Sequence, residues 1–183
     1  MGLPGIPRSV QQLVDDHYVS LYRYAYRLTG SPVDAEDLTQ ETFYKAQLNL
    51  AQLRAPDRAR PWLFCILRNA YLHRARSAKQ QPCVPLDDIG DLAEPLPEPL
   101  PEIDQEQLQQ ALKELPEVFR TPIILYYFEE FSYRDIAEQM DLPIGTVMSR
   151  LARAKAYLRS RLLAGDGEAA AQGPRLRRAT DGL

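Results

Sequence analysis

Apolar residues recur at helical spacing along most of the chain, and one long proline-rich stretch divides the pattern in two. Val10, Val14, Tyr18, Leu21, Ala25 and Leu28 repeat every three or four positions, with Leu13 and Tyr22 widening the stripe, so residues 10–29 read as a long amphipathic helix. The tyrosines at 18, 22, 24 and 26 fall where they pack. Thr29-Gly30 closes this helix with a residue able to take a positive φ, and Ser31-Pro32 gives the next helix its cap and first residue. Asp34, Glu36 and Asp37 then lie in the first turns, where the helix dipole favours carboxylates. Asp37, Gln40, Glu41 and Tyr44 continue as a polar stripe beside Leu38, Thr42 and Ala46. Such a stripe is either a solvated face or a partner-binding one. Pro61 opens a third helix whose core face is read as Trp62, Leu63, Ile66, Leu67 and Ala70. Arg54, Arg58, Arg60, Arg68 and Arg76 cluster outside that face, with Asn69 on its border, and favour a surface that binds a nucleic-acid backbone.

Residues 80–104 carry Pro82, Pro85, Pro95, Pro97, Pro99 and Pro101 and no basic residue. Neither helix nor sheet accommodates that composition. An extended, self-repelling tether of this length reaches roughly 75 Å, so the flanking domains need not touch. Beyond it, Leu108, Ala111, Leu112 and Leu115 mark a helix ended by Pro116, and Val118, Phe119, Ile123, Ile124, Tyr127 and Phe128 mark another. Pro122 predicts a kink or a separate first turn there. Residues 131–162 then read as two helices joined by a tight turn: Ser132 caps the first, Asp141-Leu142-Pro143 breaks it, and Val147, Leu151, Ala154 and Leu158 give the second a single inward seam. Gly145, Thr146, Met148, Ser149, Ala152, Arg153 and Ala156 are left facing outward. A small, polar, basic surface suits a major groove, although an ordinary helical hairpin with a solvated face has the same spacing. The pattern is all-α: two small helical domains, 8–79 and 105–163, joined by an extended acidic Pro-rich linker over 80–104 and followed by a frayed tail, 164–183.

Charge changes this picture by its placement. The net charge of -3 argues against an anionic partner, yet seven of the 25 acidic residues sit in the linker, which leaves the first domain basic. No apolar run reaches membrane-spanning length, and the opening MGLPGIPRSV lacks the basic-then-apolar order of a secretion signal. Cys65 and Cys83 stand apart without ligand spacing, which suits a reducing cytoplasm and gives neither a zinc site nor a disulfide framework. No catalytic triad, metal-ligand spacing or phosphate loop points to an enzyme, a metal or a cofactor.

Three stretches carry a family resemblance: DAEDLTQETFYKA at 34–46, PWLFCILRN at 61–69, and LPEVFRTPIILYYFEEFSYRDIAEQMDLPIGTVMSRLARAK at 115–155. Taken in this order around a linker, they resemble the extracytoplasmic-function sigma factors of bacteria, the compact type with only regions 2 and 4. The resemblance implies a cytoplasmic protein without chemistry of its own that binds core RNA polymerase, brings it to promoter DNA and opens the minus-ten element. It implies docking on the clamp helices of the largest polymerase subunit through Asp37, Gln40 and Glu41. Asn69 matches a position bordering a pocket for a flipped base, with Arg58, Arg60, Arg68 and Arg76 on phosphates. Ser149 and Arg153 would read the minus-thirty-five element first, Thr146 and Met148 next, with Arg150 and Lys155 toward phosphate. Met148 departs from the family, where many relatives have Arg. Pro122 and the pair Glu129-Glu130 depart as well, and the pair is expected to repel phosphate. The linker would thread toward the RNA exit channel, and an anti-sigma factor that clamps both domains is the expected further partner. A stand-alone helix-turn-helix regulator is the alternative, and it leaves 34–46 and 61–69 unexplained.

Overall fold

The computed structural model describes residues 9–53, 55–78 and 104–170. Among them run seven α-helices and no strand: α1 (Val10–Thr29), α2 (Pro32–Leu48), α3 (Ala59–Ala78), α4 (Gln105–Glu114), α5 (Glu117–Tyr127), α6 (Tyr133–Met140) and α7 (Ile144–Ala170). The corners follow from local chemistry. Gly30 adopts φ 67° and ends α1, while Ser31 accepts from the Asp34 N–H and Pro32 begins α2. Two 3-10 turns, Leu50–Gln52 and Pro56–Arg58, lead to α3.

In the first unit α1 buries Leu13, Leu21, Tyr24, Ala25 and Leu28 against Ala35, Leu38, Phe43 and Ala46 of α2 and Leu63, Phe64, Leu67 and Ala70 of α3. Thr39 and Thr42 are fully buried too, but each hydroxyl donates at 2.7 Å to the carbonyl four residues back, so neither is left unpaired. In the second unit Leu112, Leu115, Phe119, Ile123, Ile124 and Leu125 meet Ile136, Ala137 and Met140 of α6 and the predicted seam Val147, Leu151, Ala154 and Leu158 of α7.

Three expectations change. The inward face of α3 includes Phe64, while Trp62 and Ile66 are only half-buried. On α5, Val118 and Tyr127 face outward, and the helix runs on through buried Pro122. Pro122 is only the sixth residue of α5, so its missing N–H removes a single early bond. Lastly, α7 continues to Ala170, past the predicted start of the tail. The rest of that tail, Arg54, Cys83 and the linker up to 103 lie outside the described residues.

The two units, which the tether would allow to stand apart, pack against each other. Phe64 lies between Tyr24 (5.0 Å between ring centroids) and Phe131 of the loop before α6 (5.1 Å). Burying a side chain such as Phe131 stabilises by about 1.5–3 kcal/mol. The C-terminus of α1 supplies the polar half of the seam. The Tyr26 carbonyl, which already accepts from the Gly30 N–H, and the orphan carbonyl of Arg27 accept from the Gln109 amide, and that of Leu28 accepts from the Arg120 guanidinium at 2.8 Å. Arg120 also reaches the Tyr71 hydroxyl and the Lys113 and Leu115 carbonyls. Arg27 stacks 3.9 Å over the Phe128 ring.

Candidate nucleic-acid interface

The helix pair α6–α7 is built as its sequence predicts. Ser132 and Asp135 form a reciprocal capping box, Asp141 takes a left-handed conformation (φ 52°), and the Pro143 carbonyl accepts from Thr146 and Val147. This orients α7 so that Met148, Ser149, Arg153 and Lys155 are exposed, with Thr146 and Arg150 half-buried at the edge. A Cβ at Gly145 would meet nothing within 4 Å, so the leading turn is open for an approaching surface. The Ser149 hydroxyl donates to the Thr146 carbonyl at 3.0 Å and must turn outward to bond a base.

The predicted minus-ten residues do not form one patch. At 100° per residue, Asn69 and Arg76 share the side of α3 that carries Trp62, whereas Arg60 and Arg68 project toward the other side. Asn69 borders a cleft of about 340 Å³ lined also by Lys45, Asn49, Gln52, Trp62 and Ile66. One wall is aromatic and aliphatic; the rim carries amides and an ammonium. Several rim groups are already oriented: Gln52 donates to the Asn49 side chain at 3.0 Å, Asn49 to the Lys45 carbonyl at 2.8 Å, and Lys45 pairs with Glu41 at 2.6 Å. A planar heteroaromatic with donor and acceptor edges fits this chemistry. Lys45, Asn49 and Gln52 were not singled out from sequence, and Trp62 was read as core, because they join Asn69 only when α2 and the following turn are folded against α3.

On the other side of α3, the arginines meet carboxylates of the second unit. Arg58 pairs with Glu138 (3.5 Å), Arg68 with Glu117 (4.0 Å) and Arg60 with Glu129 (3.3 Å). Arg60 also donates to the Glu129 carbonyl at 2.7 Å and stacks over Phe64 and Phe131. Glu129 is 5% exposed. Burial pushes its carboxyl up to about 7, against the pull of Arg60, Arg27 and Arg23. The expected phosphate-repelling pair is therefore divided: Glu129 turns into the seam, while exposed Glu130, at φ 55°, turns away.

The α2 stripe lies elsewhere. Asp37 and Gln40 are exposed, and Tyr44 and Leu48 extend the stripe at 62% and 66% exposure, with Val33 at its N-terminal end. Leu48 follows Tyr44 by one turn, a signal the sequence did contain. Gln40 donates to Glu36, which also accepts from the Tyr18 hydroxyl. Glu41 is held by Arg74 and Lys45; burial raises its pKa, but these two partners outweigh that and leave the carboxyl lowered. Among the described residues no helix is long and apolar enough to cross a membrane.

Comparison with known proteins agrees with this layout. The family profile for Sigma-70 region 2 matches residues 13–81 and that for Sigma-70, region 4 matches residues 105–158. The chain is 36% identical over 167 residues to the ECF RNA polymerase sigma factor SigE of Mycolicibacterium smegmatis, an alignment covering 88% of this chain and 65% of that relative. It is 34% identical over 153 residues to the ECF sigma factor SigL of Mycobacterium tuberculosis, covering 82% of this chain and 86% of the relative. Among solved structures, the sigma factor RpoE in complex with the anti-sigma factor NepR from Bartonella quintana superposes with a TM-score of 0.67 at 27% identity, over 84% of this chain and 96% of that one. With both regions present in order on one all-α chain, the protein belongs to the extracytoplasmic-function RNA polymerase sigma factors of the sigma-70 family.

Proposed function

We propose that this chain carries core RNA polymerase to its own set of promoters by a two-point grip, one point on duplex and one on the strand being opened. The observation that supports it best is the coexistence, on one chain, of an exposed groove-sized helix face and, in the other unit, an amide-rimmed cleft with an aromatic wall. Arg153 and Ser149, with Thr146 and Met148, read the minus-thirty-five element in the major groove, while Arg150 and Lys155 face its phosphates. Met148 supplies apolar contact where a guanidinium would bond guanine, so the promoter differs at that base step.

The cleft beside Asn69 takes a flipped base of the minus-ten non-template strand, with Trp62 and Ile66 against its face. Unstacking that base costs a few kcal/mol, which contacts inside the cleft must recover. Arg58, Arg60, Arg68 and Arg76 hold the strand's phosphates on either side of α3. Asp37, Gln40 and Glu41, with Tyr44 and Leu48, dock on the polymerase. No bond is made or broken by this chain; it acts by binding, in the cytoplasm, and an anti-sigma factor is its expected antagonist. The domains acting in this way are 8–79 and 105–163.

The test is run-off transcription by purified core polymerase on genomic fragments, with and without this chain. New start sites and a stable complex with core are expected. Operator binding without any complex with core would instead identify a stand-alone helix-turn-helix regulator. The sharper arm is Gln40→Ala, which should weaken the complex with core and leave minus-thirty-five binding unchanged.

A further inference from the structure

Gln40 is exposed in the α2 stripe that the proposed function turns to polymerase, yet its amide is not free to rotate. Its Nε2 donates at 2.9 Å to Glu36 Oε1, one turn earlier on the same helix, and Glu36 Oε2 accepts from the Tyr18 hydroxyl of α1 at 2.6 Å. An ionised carboxylate accepts and cannot donate, so the nitrogen side of the Gln40 amide must face Glu36 and the oxygen is turned away from it. We propose that Tyr18 and Glu36 are positioning residues for polymerase docking, holding the Gln40 amide so that its carbonyl oxygen leads and an N–H donor of the polymerase answers it. This rests on the reading of Gln40 as a docking residue.

The relay is anchored outside its own helix. Gln11 makes a similar surface bond to Asp15 at 2.9 Å, but among the described residues no second helix holds that carboxylate. Glu36 is held from α1, 18 positions back, by a hydroxyl on a ring that is itself fixed. The Tyr18 ring stacks on both Tyr22 and Phe43, at 6.3 and 6.4 Å between centroids and within 13° of parallel to each, and Phe43 is buried in the core of the first domain. Proton positions are fixed as well. The bond to Glu36 raises the Tyr18 phenol above its ordinary 10, and the bonds from Tyr18 and Gln40 lower the Glu36 carboxyl below its ordinary 4.5. At neutral pH the phenol is therefore the donor and the carboxylate the acceptor, and no proton shift reverses the amide.

The orientation matters because of what stands beside it. Asp37, exposed one turn away, presents a carboxylate, and Glu41 presents another that Arg74 and Lys45 hold in place. A freely rotating Gln offers donor or acceptor alike and discriminates little between a basic and an acidic surface. With its nitrogen turned toward Glu36, Gln40 leads with an acceptor, so it and Asp37 select the same kind of partner group. Fixing the side chain before docking also removes part of the rotamer entropy that docking would otherwise cost.

The experiment titrates the full chain, carrying a C-terminal fluorophore, with purified core polymerase and reads anisotropy at fixed salt. Gln40→Ala should weaken the complex about tenfold and Tyr18→Phe, which keeps ring and charge, about threefold. In the Gln40→Ala background Tyr18→Phe should cost nothing further, because the hydroxyl acts through Gln40. A swap separates geometry from charge. Glu36→Gln alone lets the amide at position 36 donate, which reverses Gln40 and should weaken binding as much as Gln40→Ala does. Adding Gln40→Glu restores an amide facing a carboxylate across one turn, with an acceptor outward, and should return binding to within about twofold of wild type. If Gln40→Ala binds as wild type does, the docking reading fails and takes the positioning with it. If Gln40→Ala weakens binding while Tyr18→Phe does not, or Tyr18→Phe weakens it equally in both backgrounds, docking stands and the positioning role is overturned. Should Tyr18→Phe impair folding, the swap decides: no recovery over Glu36→Gln alone overturns the proposal.

Discussion

The two surfaces proposed to face DNA are built from the same residue types and presented in opposite ways. On α7, Arg153 and its neighbours stand on a rigid helix whose inward seam is fully used by its own domain, so the reading face is left outside. On α3, Phe64 satisfies the first domain through Tyr24 and at the same time offers a ring to Phe131 of the second. A helix with apolar groups on two sides recruits a second neighbour, and the arginines between those sides go with it. Availability is therefore set by what the rest of the helix must bury, more than by the charges themselves.

The strongest way to break this contrast is to remove the ring that joins the domains. Phe131→Ala should destabilise the chain by about 3–5 kcal/mol, the range for a buried aromatic, and hydrogen exchange should show the loss along α3 as well as α6. Protection lost in α6 and α7 alone would mean that the domains are not energetically joined. Next in size, Arg153→Ala should weaken binding to a minus-thirty-five duplex by about 1–3 kcal/mol, measured by titration at fixed salt, with no change in compaction. A comparable loss on random duplex would move Arg153 from base reading to phosphate holding.

How much of this was legible beforehand follows the same division. Caps, corners and the α7 seam were readable because Gly30, Ser31, Ser132 and the Val147–Leu158 spacing act within a few residues of themselves. The identity of the α3 core face was not. Counting one stripe from Trp62 placed Trp62 and Ile66 inside, because a periodicity argument allots each helix a single buried face, and α3 has one face in each interface and a third around the cleft. The charge clusters were legible as residues but not as partners. Glu129 and Arg60 are 69 positions apart, and nothing local in a Glu-Glu dipeptide says that one of the two will be buried. The cleft failed for the same reason, since its wall and its rim come from different helices.

Proton linkage sharpens the comparison further, because the seam between the domains holds a buried carboxyl whose pKa is raised to about 7. Glu129 faces Arg60 from α3 and Arg23, Arg27 and the buried Tyr24 from α1, and its carboxyl titrates at about 7 in the closed chain. Its pKa is raised above the value of 4.5 it has when solvated, so the closed chain binds the extra proton. Closure is accordingly favoured at low pH and loses stability as pH rises through 4.5 to about 7, levelling off above that. His17, which feels Arg60, is held below its ordinary 6.5 chiefly by burial and opposes the folded chain only on the acid side. Between pH 6.5 and 8 the change should be about 1 kcal/mol toward the open chain, visible as expansion in scattering, and Glu129→Gln should flatten it. Binding through α7 should stay level over that range.

The smallest expected effect lies within the seam itself. Arg58 and Glu138 are 59% and 66% exposed, against 6% for the Glu129 side chain. Water already solvates both members of the outer pair, and holding two long side chains together offsets most of what their attraction supplies. Glu138→Gln alone should therefore change closure by no more than about 0.5 kcal/mol, and raised salt should erase the difference. Glu129→Gln acts differently, since it alters a buried group whose ionisation opposes burial and whose partners remain charged. If the two single variants shift compaction equally, and salt suppresses both alike, the seam is a diffuse attraction between oppositely charged faces, and the buried pair has no special place in it.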